Sequence, residues 1–474
     1  MLREIVFGAG IVGALVCLSG CPPKCEGGPA IADPTGIYGN LGDPMPSATA
    51  EQRATFERGK AVFTRRFNLS EGLGPTFNVE SCGACHERPT VGGSAGLYRN
   101  FFIGGTRTVD GALIFGEAGG VVRLYHYGPG DLARPVIPAS KNVFAQRNPI
   151  PFFGAGLIAS VTEDEILAHA DPDDLNRDGI SGRPNYDSGF IGRFGRKAQV
   201  VTVESFIRGP LFNHVGITSD PLSEEQRAKL PVDSSKPGSA KINEEKQGGA
   251  PDGPLVDQDG VPDPEMSSDD LFDLVSFAML LAVPTPEQLD CAGVHGQQLF
   301  DSLGCAKCHI PELSGSKGRV PLYTDLLLHD MGPDLADGIR QGVATGLEFR
   351  TQPLVGIMAV GPYLHDGRAA TIREAILLHG GEAQRSRDAF AELAQADQAD
   401  VLGFLDTLGG RSQYSTGLLP PNAPVPPVDA FGGPRRALTE AELARYERGR
   451  ELFDHDFSIS DGTGGPVRGS CRRC

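Results

Sequence analysis

The 474-residue sequence predicts a mainly α fold with long loops and little β structure. Two Cys-x-x-Cys-His motifs, CGACH at Cys82 to His86 and CAKCH at Cys305 to His309, each follow a stretch with helical character. Sixty-three glycines and 37 prolines require long ordered loops between short helices. No alternation of apolar and polar residues runs long enough to dominate the chain as a sheet.

The two motifs carry the strongest chemical signal. A c-type haem is held by thioether bonds to two cysteines one helical turn apart, with the next histidine placed under the iron. Cys82, Cys85, Cys305 and Cys308 are therefore expected to bind two covalent haem c groups, with His86 and His309 as proximal iron ligands. The alternatives are a zinc site or a redox dithiol. Zinc needs four ligands, and neither motif has a second Cys or His pair nearby in sequence.

The amino terminus reads as an export signal. Arg3 leads into the apolar run Ile5 to Leu18, too short to span a bilayer comfortably, and Leu18-Ser19-Gly20-Cys21 resembles a bacterial lipobox. That resemblance implies cleavage after residue 20, lipidation of Cys21, and a mature protein tethered on the periplasmic side of a bacterial membrane. Haem c attachment is expected in the same compartment. Of the ten cysteines, Cys25 and Cys291 remain without an assigned role. The net charge of −17 argues against nucleic acid and suits encounter with a basic redox partner protein or a small electron donor.

Each element follows from local signals. A tether over 21–50 precedes a helix from Glu51 to Thr64, which opens an amino-terminal haem domain over 51–232. Thr162-x-x-Glu165 is a capping box for a helix from Glu163 to Ala170. Residues 233–268, charged and rich in Pro, Gly and Ser, read as a linker. A carboxy-terminal haem domain over 269–408 then begins with a helix from Asp269 to Ala282. It continues with an approach helix from His295 to Leu303, the second motif, a helix capped by Thr371-x-x-Glu374, and a longer one from Asp388 to Leu408. A Pro-rich linker over 409–437 closes this part.

Residues 438–474 repeat an earlier pattern. Arg58-Gly59 through Phe63, Phe67, Ser70, Gly72 and Cys82 is echoed by Arg448-Gly449 through Phe453, Phe457, Ser460, Gly462 and Cys471. The repeat reads as the truncated start of a third cytochrome c-like domain, stopping at Cys474, one residue before the expected histidine. A terminal Cys-x-x-Cys dithiol is the rival reading.

The pattern RGKAVF…NLSEGLGPTFNVESCGACHERPTVGG, the block DLNRDGISGRPN, and TDLLLHDMGPDLADG followed by FRTQPLVGI…PYLHDGRAATIREAILLHGGEA resemble the bacterial di-haem c-type oxidoreductases. These are relatives of the di-haem cytochrome c peroxidases, and the resemblance covers Glu51 to Leu408. It implies two cytochrome c-like haem domains packed with their haems close together. It also implies an enzyme in which electrons pass from the carboxy-terminal haem to the amino-terminal one, to reduce peroxide or oxidise a substrate. The other function class is a lipid-anchored electron-transfer cytochrome without substrate chemistry.

By the same resemblance, the position eight residues after Thr371 supplies the sixth ligand of the second iron. Here it is His379, with Met331 and His329 as rivals and His365 as a loop-fixing residue. Around the first haem, the stretch Glu204 to His214 corresponds to the segment that moves protons in the peroxidases. The expected acid is missing, so His214, as acid/base or iron ligand, and Glu204 become the catalytic candidates. The relatives place a tryptophan between the haems. This chain has none, which leaves direct tunnelling or passage through Tyr or Phe. Separately, Asp174-x-Asn176-x-Asp178-Gly179 has the oxygen alternation of a calcium loop, but the twelfth position is Asn185, so a partial Ca²⁺ site competes with a polar turn.

Overall fold

The structure is a computed structural model that describes residues 36–116, 118–126, 137, 139–232, 253–411, 425, 427, 428 and 433–454. The signal segment, Cys21 and the terminal Cys471 and Cys474 lie outside the described residues. Among those described, the helices are α1 (Ala50–Thr64), α2 (Ala155–Ser160), α3 (Glu163–Ala168), α4 (Val203–Pro210), α5 (Glu224–Ala228), α6 (Ser268–Leu280), α7 (Cys291–Ser302), α8 (Ile372–Leu378), α9 (Gln384–Glu392), α10 (Gln395–Asp406) and α11 (Glu440–Asp454).

The expected starts hold because each has a side-chain cap. Thr162 accepts from Glu165 N, and Thr371 accepts from Glu374 N while Glu374 reaches back to Thr371 N. The long helix expected from Asp388 to Leu408 is instead two. Leu393 and Ala394 are extended, and the buried Gln398 amide donates to Ala391 O and Leu393 O, satisfying carbonyls that end α9.

The fold is mixed rather than mainly α. Phe101–Arg107 is the centre of a four-stranded antiparallel sheet with Leu113–Ile114, Val121–Val122 and Val143–Arg147, and five two-stranded ladders accompany it. Aromatic and β-branched residues occupy both long strands. They are five to seven residues long and set among glycines, so their periodicity is slight.

Two helix crossings organise the cores, and they are built alike. On α1, a Cβ at Gly59 would lie 2.0 Å from Asp273 O of α6; on α7, a Cβ at Gly296 would lie 1.9 Å from Asp400 O of α10. Only glycine permits either approach. Four residues on, Phe63 meets Phe277 at 4.9 Å and Phe300 meets Phe404 at 5.4 Å. The residue before each glycine pairs with the same aspartate: Arg58 with Asp273 at 2.6 Å, and His295 with Asp400 at 2.8 Å. The first haem motif's core is therefore closed by α6, which corrects the boundary drawn at residue 269. The second core comprises Phe300, Phe390 and Phe404 with their neighbours.

Alanine at either crossing glycine is expected to lower stability by about 1–3 kcal/mol through overpacking. Gly449 on α11 has nothing within 4 Å, so Gly449→Ala should be neutral or stabilising, by up to about 1 kcal/mol of helix propensity. Thermal midpoints followed by circular dichroism separate these cases.

Candidate di-haem site

The second motif sits where α7 stops. Gly304, at φ 86°, turns the chain into a 3₁₀ turn at Cys305–Lys307, and His309 N donates to Cys305 O at 3.0 Å. His309 Nδ1 donates to Tyr323 O at 3.0 Å, which leaves the Nε2 lone pair for a metal. His379 caps the end of α8, and its Nδ1 donates to Ala375 O at 2.7 Å, with the same consequence. Both imidazoles, Cys305 and Cys308 line one cavity with Ile372, Ile376 and Leu405. Burial pushes His309 down to about 4.

The first motif is built in the same way. Ser81 caps the turn at Cys82–Ala84, His86 N donates to Cys82 O at 3.2 Å, and His86 Nδ1 donates to Gly93 O at 2.9 Å. Phe152 and Phe63 wall the His86 ring at 4.8 and 5.9 Å. His214 lies in a π-helical turn at Leu211–Val215, directly after Pro210, and is half-buried with Phe101 edge-on at 4.5 Å. Asn78 Nδ2 lies 3.1 Å from its Nδ1. Burial pushes His214 down to about 3, with His86 and Arg123 adding to the effect, and the backbone ties it to the segment leading into the first motif, where Asn78 N donates to His214 O at 2.7 Å.

The thiols are poorly suited to redox dithiol chemistry. Burial raises Cys82, Cys85 and Cys305 to about 12, so they stay protonated and poorly nucleophilic. Guanidinium groups supply a second test. Arg196 and Arg350 line the cavity, and the Nε of each is buried without a partner, as suits the carboxylate arms of a haem. The residues present fit the group: His86, His309 and His379 would hold iron, and Cys82, Cys85, Cys305 and Cys308 would hold the ring edges. When bound, the haems supply one-electron redox chemistry.

Between the motifs lie phenylalanines. Phe152 touches His86 on one side and lines the second motif's cavity on the other. Phe206 is 5.8 Å from Phe152 and 5.8 Å from Phe194, all lining that cavity. They occupy the space through which electrons would pass without a tryptophan.

Other candidates separate clearly. His329 cannot bind iron here, because Nε2 meets Asp325 and Nδ1 meets Glu382, each at 2.8 Å. Burial opposes its charge, but Asp325 outweighs burial and holds the pKa well above the usual histidine value. Met331 lines the cavity. His365 is stacked on Phe349 at 4.2 Å, and burial with Arg147 and Arg196 nearby pushes it to about 2. Its placement suits a structural role.

Glu204 is not placed to carry protons: it is buried, paired with Arg227 at 2.8 Å, and accepts from Leu222 N at 2.8 Å. The loop oxygens of Asp174, Asn176 and Asp178 accept from the loop's own amides, and Asp178 also pairs with Lys307 at 2.9 Å. Those are the bonds of a polar turn.

Sequence reasoning missed the cationic cluster and Asn78. Lys197 is fully buried against Asp337, which Arg147 also pairs, and it donates to Thr345 O and Glu348 O. The signal was present but diffuse, as single basic residues spread over 147–350.

The buried neutral histidines set an acid limit on stability. In the unfolded chain each protonates near pH 6.5, whereas His214 is pushed to about 3 and His365 to about 2, chiefly by burial. Their contribution is complete above about pH 6.5 and is lost as pH falls through the folded values. Thermal midpoints should drop on acidification, and His365→Phe should reduce that slope by about one proton.

A fold with two helix-crossed cores, each presenting a Cys-x-x-Cys-His turn, defines a di-haem redox protein. The family described as "Di-haem oxidoreductase, putative peroxidase" matches residues 139–408, and the chain belongs to it, which makes it an oxidoreductase of a di-haem class. The matched stretch includes Cys305 to His309 and His379 but not Cys82 to His86.

The methylamine utilization protein MauG of Methylorubrum extorquens is 31% identical over 118 residues, 22% of this chain. The aligned stretch spans 31% of that relative's length. Among solved structures, a MauG-like protein associated with microbial copper homeostasis is similar at TM-score 0.38 and 15% identity, over 80% of this chain and 95% of that one. The diheme peroxidase BthA of Burkholderia thailandensis is similar at TM-score 0.37 and 15% identity, over 83% and 96%.

Proposed function

We propose that the protein is an exported, lipid-anchored c-type di-haem oxidoreductase that reduces peroxide or oxidises a substrate at the haem bound by Cys82, Cys85 and His86. Electrons enter at the haem of Cys305, Cys308 and His309, closed on its other side by His379, and pass to the first haem. The supporting observation is an asymmetry. His309 shares its cavity with a histidine whose Nδ1 is likewise held by a backbone carbonyl, while His214 has its Nδ1 held by a side-chain amide.

For peroxide the balance is H₂O₂ + 2 e⁻ + 2 H⁺ → 2 H₂O. The O–O bond breaks, the electrons come singly from a redox partner protein or small donor, and His214 holds a proton beside the reacting oxygens. Cys21 supplies the membrane tether. Among the described residues no helix is long and apolar enough to cross a membrane.

The second reading, an electron carrier without substrate chemistry, draws on the same His214: a ligating histidine there would close the first haem. Haem quantitation with ferric and ferrous spectra tests both. The enzyme reading expects two haems per chain, one low-spin and one high-spin that binds CO, with hydrogen peroxide consumed when a donor is supplied. Two low-spin haems with neither CO binding nor peroxide consumption would establish the carrier.

A further inference from the structure

We infer that Asn78 is a positioning residue that fixes the ring proton of His214 on Nε2, so that His214 faces the first haem as a hydrogen-bond donor and not as an iron ligand. The inference rests on the reading above that a haem is attached at Cys82 to His86.

The orientation of the Asn78 amide is set from its far side. Leu124 N donates to Asn78 Oδ1 at 2.9 Å, so the oxygen faces Leu124 and the NH₂ faces His214 Nδ1, 3.1 Å away. Turning the amide over would set its NH₂ against the Leu124 N–H. An amide NH₂ only donates, so Nδ1 accepts through its lone pair and carries no proton. A neutral imidazole has one ring proton, which places it on Nε2. With that lone pair taken by an N–H bond, Nε2 cannot bind a metal.

The other three site histidines are the reverse. His86, His309 and His379 each donate Nδ1–H to a backbone carbonyl, and in His309 and His379 this leaves Nε2 as a base toward iron. His214 is the exception, and its setting is tightly determined. Asn78 N donates to His214 O at 2.7 Å, so one residue holds the backbone and the ring together. Gly216, at φ 93°, ends the π turn against Gly74, where a Cβ would lie 2.5 Å from the Gly74 Cα. Asn78 itself is buried.

Asn78→Asp is the informative variant. Aspartate keeps the size and the bond from Leu124 N, but its second oxygen accepts, so the ring proton moves to Nδ1 and the Nε2 lone pair is freed. In the wild-type holoprotein the first haem should be ferric high-spin. Its ferrous CO complex should show a C–O stretch lowered by the donor and shifted in D₂O. In Asn78→Asp the high-spin electron paramagnetic resonance signal should give way to a second low-spin signal, and any remaining CO complex should vibrate at higher frequency without the D₂O shift.

Unchanged spin state and stretch in Asn78→Asp would overturn the inference. So would a wild-type low-spin first haem that His214→Leu turns high-spin. If Asn78→Asp does not fold, His214→Gln, which still offers an N–H, should retain the lowered stretch that His214→Leu loses; equal stretches in both overturn the inference. Failure of the functional reading looks different: a high-spin, CO-binding first haem that consumes no peroxide. In that case the spectra still decide the role of Asn78.

Discussion

Replacing His379 with alanine is expected to remove the low-spin signal of the second haem, open that iron to CO, and slow peroxide turnover by at least about 10–100-fold, the range seen when a metal's ligand shell is disturbed. The ring lines the same cavity as the motif turn, with Nδ1 held by Ala375 O. Truncation would leave the iron with His309 alone and lower electron delivery to the first haem. His379→Met should keep six ligands but raise the potential, because a thioether favours the ferrous state. Redox titration with parallel CO binding checks both variants. An unchanged low-spin signal in His379→Ala would transfer the ligand role to Met331, which lines the same cavity.

His214→Leu carries the second large effect. A positioned acid or base contributes about 10²–10⁴-fold, so kcat for peroxide reduction should fall by that factor while both haems stay attached. KM should change little. Glu204→Gln serves as the comparison. Because Glu204 is occupied by Arg227 and Leu222 N, that variant should lose stability and keep its per-haem turnover. Steady-state kinetics normalised to haem content distinguishes the two residues.

What the sequence made legible was what its chemistry forces into short spacing. The Cys-x-x-Cys-His turns are local, and so are the capping boxes that start α3 and α8. His379 was named through the family resemblance, eight positions after Thr371, and the structure places that residue at the end of α8. Pairings across long stretches of chain were not legible. The partner of Gly59 lies on α6, and the Arg58–Asp273 pair spans 215 residues, so the helix at 268–280 read as the start of the next domain.

Glu204 failed for a related reason. Its type suits proton transfer, but Arg227, 23 positions on, decides its role, and α5 brings that guanidinium to it. Asn78 lies four residues before the first motif and carries no motif of its own. Only the approach of Leu124 and His214 gives it significance. The two-part helix at 384–406 depended on where one buried glutamine amide would point.

The paired glycine crossings also dictate an order of assembly. The second core lies within α7 to α10, where the His295–Asp400 contact closes a loop of 105 residues, against 215 for Arg58 and Asp273. Doubling the loop adds only about 0.6 kcal/mol of closure entropy, so the two crossings differ little in thermodynamic cost. They differ in time. A chain emerging from its amino terminus has presented Arg58 and Gly59 long before α6 exists to pack against α1, and folding slows as contacts become less local. The face of α1 therefore stays uncovered until Asp273, 215 positions beyond Arg58, has been made, whereas α7 waits 105 positions for Asp400.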